Sequence, residues 1–240
     1  MITYDSSSGS FRAAPHEINA LHAALESADP SNLDAALSPL GVAVGSDSLV
    51  RAMAESLQST IFEITLLNAG PGGLHEHHIA VGVNAVAVRT SPVNDETAEL
   101  SGMGMQTVPG GLARLVRFRA GAVPPEGSAP VEVSPDNLIA LAADSDASRQ
   151  AAWTALAPTL DSLLETPEDP SWQLVSSACT WTYPDGTPGT DTGSYIRRGD
   201  QYFVIRENGP VPTLQAVRPA VAWEALIGVL PGQNEVAPPA

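Results

Sequence analysis

The order of apolar periodicities along this chain occurs twice. From Pro15, Ile18, Leu21 and Leu25 recur at spacings of three and four, one face of a helix with proline at its first position. Leu33, Leu37 and Leu40 repeat that spacing after Asp29-Pro30, and a third helix with Leu49, Met53 and Leu57 starts after Ser46 or Asp47. The pattern then turns to strands: Ile61 to Leu67, His77 to Gly82, Ala85 to Thr90 and Ala98 to Thr107 read as an antiparallel meander. Gly70-Pro-Gly-Gly73 reads as a loop and Gly82-Val-Asn84 as a turn. Leu112, Leu115 and Val116 resume helical spacing and close a first block near Gly121.

A stretch rich in Pro, Gly and Ala, 122–130, has the composition of a linker. Beyond it Ser134-Pro135 starts a helix with Leu138 and Leu141, and Trp153, Leu156, Leu160, Leu163 and Leu164 form a stripe that Pro158 must kink or divide. Strands follow at Trp172 to Thr182, Gly193 to Arg197, Gln201 to Arg206 and Val211 to Ala216, with turns at Pro184-Asp-Gly186 and Arg198-Gly-Asp200. A helix after Pro219, with Trp223, Leu226, Ile227 and Leu230 on one face, stops at Pro231-Gly232, and 233–240 reads as a disordered tail.

Both blocks thus run helices, four strands, helix. Met105-Gln-Thr-Val108 aligns with Leu214-Gln-Ala-Val217 at an offset of 109, and Leu112, Leu115 and Val116 align with Trp223, Leu226 and Ile227 at 111. Blocks this long exceed solenoid units of about 20 to 50 residues. The expected fold is therefore α+β, two pseudo-two-fold duplicated α/β halves, 1–121 and 131–232, each an antiparallel four-stranded meander flanked by helices. Chance similarity is the competing account, since strand followed by helix is common.

Charge narrows the partners. With 27 acidic against 11 basic residues the formal charge is −16, which repels phosphate backbones and anionic lipid, so neither nucleic acid nor a membrane surface is expected as a partner. The N-terminus lacks the basic and apolar regions of a secretory signal, and Ser6 to Ser8 reads as flexible. Ile79 to Val88 is about half the length a spanning helix needs. One cysteine, Cys179, excludes an intramolecular disulfide framework and fits a reducing compartment, so a cytoplasmic location is expected.

Catalytic chemistry finds little footing. Gly-x-Ser-x-Gly is absent, Cys179 lies within a strand without an identifiable base, and Gly102-Met-Gly104 does not extend to a dinucleotide fingerprint. His75 and His77 of the His75-Glu76-His77-His78 cluster share a face if extended, but two imidazoles fall short of the three or four ligands of a zinc site. No metal, cofactor or catalytic residue is expected. Met103 and Met105 alternate with glycines, which fits core filling and also a soft partner-binding face, and Trp153, Trp172, Trp181 and Trp223 read as anchors of the second core.

The helical pair before each strand block, the paired strand-to-helix segments and the run Asp191-Thr192-Gly193-Ser194-Tyr195 together resemble the EspG family, the actinobacterial-type chaperones of type VII (ESX) secretion. The resemblance covers about Pro15 to Pro231; in the family an arginine is usual where Ser194 stands here. It implies a cytosolic, non-enzymatic adaptor that binds secreted PE/PPE-type or other helical substrate proteins, keeps them soluble and delivers them. None of the four tyrosines has Asp or Glu four residues later, the spacing of an export signal, which fits adaptor rather than cargo. Candidate contact surfaces are the loops Gly70 to His78 and Ser91 to Thr97, with His75, Glu76, His77, Asn94, Asp95 and Glu96 as partner-binding residues, and the helical region Leu138 to Leu164. Two other readings remain: an enzyme of unrecognised type with a site between the halves, or a small self-associating module.

Overall fold

A computed structural model describes residues 1–92, 97–125, 127–163, 171–207 and 209–237. The calls on Asn94, Asp95, Glu96 and Leu164 lie outside the described residues. The strands are β1 (Thr3–Asp5), β2 (Ser10–Ala13), β3 (Phe62–Gly70), β4 (Gly73–Val81), β5 (Ala85–Pro92), β6 (Ala98–Gly104), β7 (Val131–Glu132), β8 (Trp172–Thr182), β9 (Pro188–Arg198), β10 (Gln201–Arg206) and β11 (Thr213–Val217). The helices are α1 (Pro15–Ser27), α2 (Leu33–Leu37), α3 (Ser48–Gln58), α4 (Val108–Leu115), α5 (Pro135–Leu141), α6 (Asp146–Asp161) and α7 (Pro219–Ile227).

The described strands form one antiparallel sheet in the order β1-β2-β6-β5-β4-β3-β8-β9-β10-β11-β7. Two consecutive meanders, β3 to β6 and β8 to β11, meet at the long β3–β8 pair, where Phe62 faces Trp181 and Ala69 faces Leu174. Alternate residues of these central strands point to opposite faces. On one face α4 and α7 cover Ile64, Leu66, Val175, Cys179, Tyr195 and Tyr202. On the other, α1 to α3 bury Phe11, Ala87 and Leu100, while α5 and α6 bury Leu174, Ile196, Phe203 and Leu214. The sheet therefore carries three separate apolar clusters.

Local chemistry sets the helix ends. Asp47 accepts from the Leu49 and Val50 amides at 2.8 and 3.3 Å and caps α3. Carbonyls at the end of α4 are taken up by sheet side chains: Asn68 donates to Leu115, Gln173 to Val116 at 2.7 Å, and Arg197 to Arg117.

Several expectations are corrected. Ser6 to Ser8 is the turn of a hairpin, not a flexible terminus: Phe11 is fully buried, Tyr4 stacks on it at 4.8 Å, and the Tyr4 hydroxyl bonds Asp47. Gly70 to His78 is not a loop but the tip of a hairpin followed by strand, because Pro71-Gly72 suffices as a two-residue turn and Gly70 already pairs with Gly73. Leu49 points outward, and Val50, Met53, Ala54 and Leu57 form the buried face of α3. Pro158 does not divide α6, which runs on to Asp161; Pro158 and Thr154 lie on the exposed side, where water can reach the carbonyl that the proline leaves without its helical donor.

The aligned tetrapeptides differ in structure. Met105–Thr107 is a 3-10 turn, whereas Leu214 to Val217 is strand, and the buried residues are Val108 and Leu112 in α4, with Val116 just beyond its end, and Ala222 and Leu226 in α7. The tryptophans serve two cores: Trp153 and Trp172 stack at 5.0 Å under α6, while Trp181 and Trp223 pack on the opposite face. Residues 233–237 return to the sheet, where the Ala237 amide donates to the Thr182 carbonyl at 2.7 Å.

Candidate functional site

The two helical clusters on one face of the sheet leave a strip uncovered between them. On that face β8 presents Trp172 and Leu174 beneath α6, then Ser176, Ala178, Thr180 and Thr182. Strand β9 follows suit, with Ile196 buried, Ser194 half-buried and Thr192 and Thr190 exposed, and β3 passes from Ala69 and Leu67 to Thr65 and Glu63. The face changes from apolar to small and polar where helix cover ends, because an uncovered apolar strip would stay in contact with water.

Register aligns these residues into rows. One row runs Arg89, His78, Thr65, Ala178, Thr192; the next runs Glu76, Leu67, Ser176, Ser194, with the Ser194 hydroxyl bonding that of Ser176 at 2.9 Å. The result is a shallow shelf of short side chains on a rigid floor, walled by α1 to α3 and by α5 and α6. A flat hydroxyl-lined surface has the means to accept another protein's chain by hydrogen bonding and close approach.

The sequence-derived site residues divide across the sheet. His75 and His77 share one face, their rings stacked at 6.5 Å, on the side covered by α4 and α7. His77 is 4 % exposed, bonds the Thr90 hydroxyl at 3.0 Å, and burial, with His75 and His78 adding to it, holds its pKa down to about 4. It is an interior residue. Glu76 lies on the shelf face beside His78, 3.3 Å away. Glu76 alone of the three is thus on the open strip. Among the described residues no group of three His, Cys, Asp or Glu side chains is arranged to hold a metal ion.

Sequence reasoning missed the shelf itself. The signal was present as strands whose alternate positions switch midway from Leu or Trp to Ser and Thr, but without the tertiary arrangement such positions read as ordinary solvent face. Cys179 sits on the opposite face, fully buried, its thiol pushed up to about 12 by burial and the charge of Asp191. No helix among the described residues is long and apolar enough to cross a membrane.

No family model matches the sequence. No curated protein matches it either. The structure is similar to that of EspG5, the Mycobacterium tuberculosis type VII secretion system chaperone, solved in complex with a PE25-PPE41 dimer; the match covers 95% of this chain and all of that one, with a TM-score of 0.53 and 11% identity. This chain has the EspG fold. The EspG-like character expected from the repeated element order therefore holds at the level of architecture, an α+β molecule with one large antiparallel sheet. At 11% identity the likeness is one of fold.

Proposed function

We propose that this protein is a cytosolic adaptor of type VII secretion that binds PE/PPE-type or related helical substrates, keeps them soluble and delivers them. The observation that supports this reading is the match, along the length of both chains, to a chaperone solved with such a dimer. The shelf suits the role: its short side chains admit close approach, and helical walls on both sides limit the directions from which a partner can dock. Glu76 is the contact residue this reading favours, with Asn94, Asp95 and Glu96 as further proposed contacts and His75 and His77 in a supporting position.

The strand order fits a duplicated origin, with halves 1–121 and 131–232 joined by the segment 122–130. We take the meanders β3 to β6 and β8 to β11 as equivalents related about the β3–β8 pair.

Co-expression with a PE/PPE-type helical dimer from the same secretion locus tests the function. The expected result is co-elution and recovery of the dimer in the soluble fraction. A dimer that stays insoluble or elutes alone sinks the reading.

A further inference from the structure

Beside the shelf, a cavity of about 180 Å³ opens between α1 and strands β3 to β5. Its polar lining is His22 from α1 and Glu63, Thr65, His78 and Arg89 from the strands. His78 pairs across with Arg89 and Thr65, so the cavity continues a row of the shelf.

Arg89 is the cation of this lining, and it is not ion-paired as some arginines of this acidic chain are. Arg12, Arg149 and Arg198 pair with Glu99, Asp146 and Asp161. Among the described residues no carboxylate lies within ion-pair distance of Arg89; its Nη1 donates to the Asn19 side chain at 2.9 Å, and its Nε is buried without a hydrogen-bond partner. A half-buried guanidinium lacking an anion leaves strong donors unsatisfied, and its planar fork matches a carboxylate. Glu63, which also lines the cavity, is exposed, and water weakens its charge.

We propose that this cavity is a carboxylate-binding pocket, with Arg89 supplying the cation and His22 and His78 the flanking donors. Its volume fits a carboxylate on a short aliphatic stem, the shape of an Asp or Glu side chain or of a small free acid. Burial and the Arg89 charge hold the His22 pKa below its usual value against the pull of Glu26 and Glu63, with His78 adding to the lowering. An incoming carboxylate opposes that effect.

Glutarate titrated into the full chain at constant ionic strength, followed by imidazole NMR signals, tests the pocket. Saturable shifts at His22 and His78 with His16 unmoved are expected, and Arg89→Gln weakens binding by about tenfold or more. Shifts that chloride reproduces, that fail to saturate, or that persist at equal affinity in Arg89→Gln overturn the proposal. If that variant loses its fold, Arg89→Lys keeps the charge without the fork; unchanged affinity there overturns it equally.

The source of the carboxylate is separable. A protein-borne source rests on the chaperone reading and predicts that the substrate dimer shifts His22 and that glutarate competes with it. A dimer that binds without moving His22, with the glutarate response intact, assigns the pocket to a free acid. Loss of all complex formation with that response intact sinks the chaperone reading alone, whereas a silent glutarate titration sinks the pocket alone.

Discussion

Gly193 lies directly against the backbone of Ala225, so that a Cβ at position 193 would overlap the Ala225 carbonyl oxygen. Helix α7 docks on β9 only because this strand position carries no side chain. The obstacle is backbone, which cannot rotate away as a side chain can. Gly193→Ala is expected to destabilise the protein by about 2–4 kcal/mol through displacement of α7. Urea unfolding measures it, and a change below half a kilocalorie, on the order of an ordinary surface substitution, removes the argument. The glycine of the run Asp191 to Tyr195 is thereby explained by packing.

His77 makes stability depend on pH. Its folded pKa, about 4, lies below the unfolded value near 6.5, so the unfolded chain binds a proton more readily. The neutral form is the one the fold accepts. The stabilisation is complete above pH 6.5 and is lost as pH falls from there towards 4, by about 3 kcal/mol at most. His77→Gln should flatten the unfolding free energy over that window; a slope identical to that of the parent chain counts against the assignment.

Thr192 tests the shelf. It is exposed and lies in the row that ends at Arg89. Thr192→Trp should leave thermal stability nearly unchanged, within about 0.5 kcal/mol, while abolishing co-elution with the substrate dimer by raising an indole above the floor. Retained co-elution would place the contact elsewhere.

Cys179 should be inert. With its thiol fully buried and its pKa pushed up to about 12, alkylation by iodoacetamide at pH 8 is expected only after unfolding. Mass spectrometry of native and urea-treated protein reads this directly, and rapid labelling of the native chain would contradict the packing around β8.

Most elements were legible because their signals are local. Ile18, Leu21 and Leu25 bury one face of α1, Asp47 caps α3, and Gly186 and Gly199 take positive φ at the expected turns. The N-terminal hairpin escaped notice because a serine-rich turn resembles a flexible end until Phe11 finds its pocket. The His cluster misled because Gly70 to Gly73 looked long enough for a loop, while a two-residue turn places His75 to His78 in mid-strand, with Glu76 and His77 on opposite faces.

The sequence by itself determined most of the helices, the strands of the two meanders and the acidic charge, since propensity, periodicity and capping act within a few residues. The tertiary structure alone decided which face of each strand is covered. That depends on where α1 to α3 and α5 with α6 settle on a common sheet, and it makes Thr180, Thr190 and Thr192 a shelf, His77 an interior group, and Arg89 a cation without an anion. Contacts between residues more than a hundred positions apart, such as Leu67 and Ser176, fix that arrangement, and no local pattern encodes them.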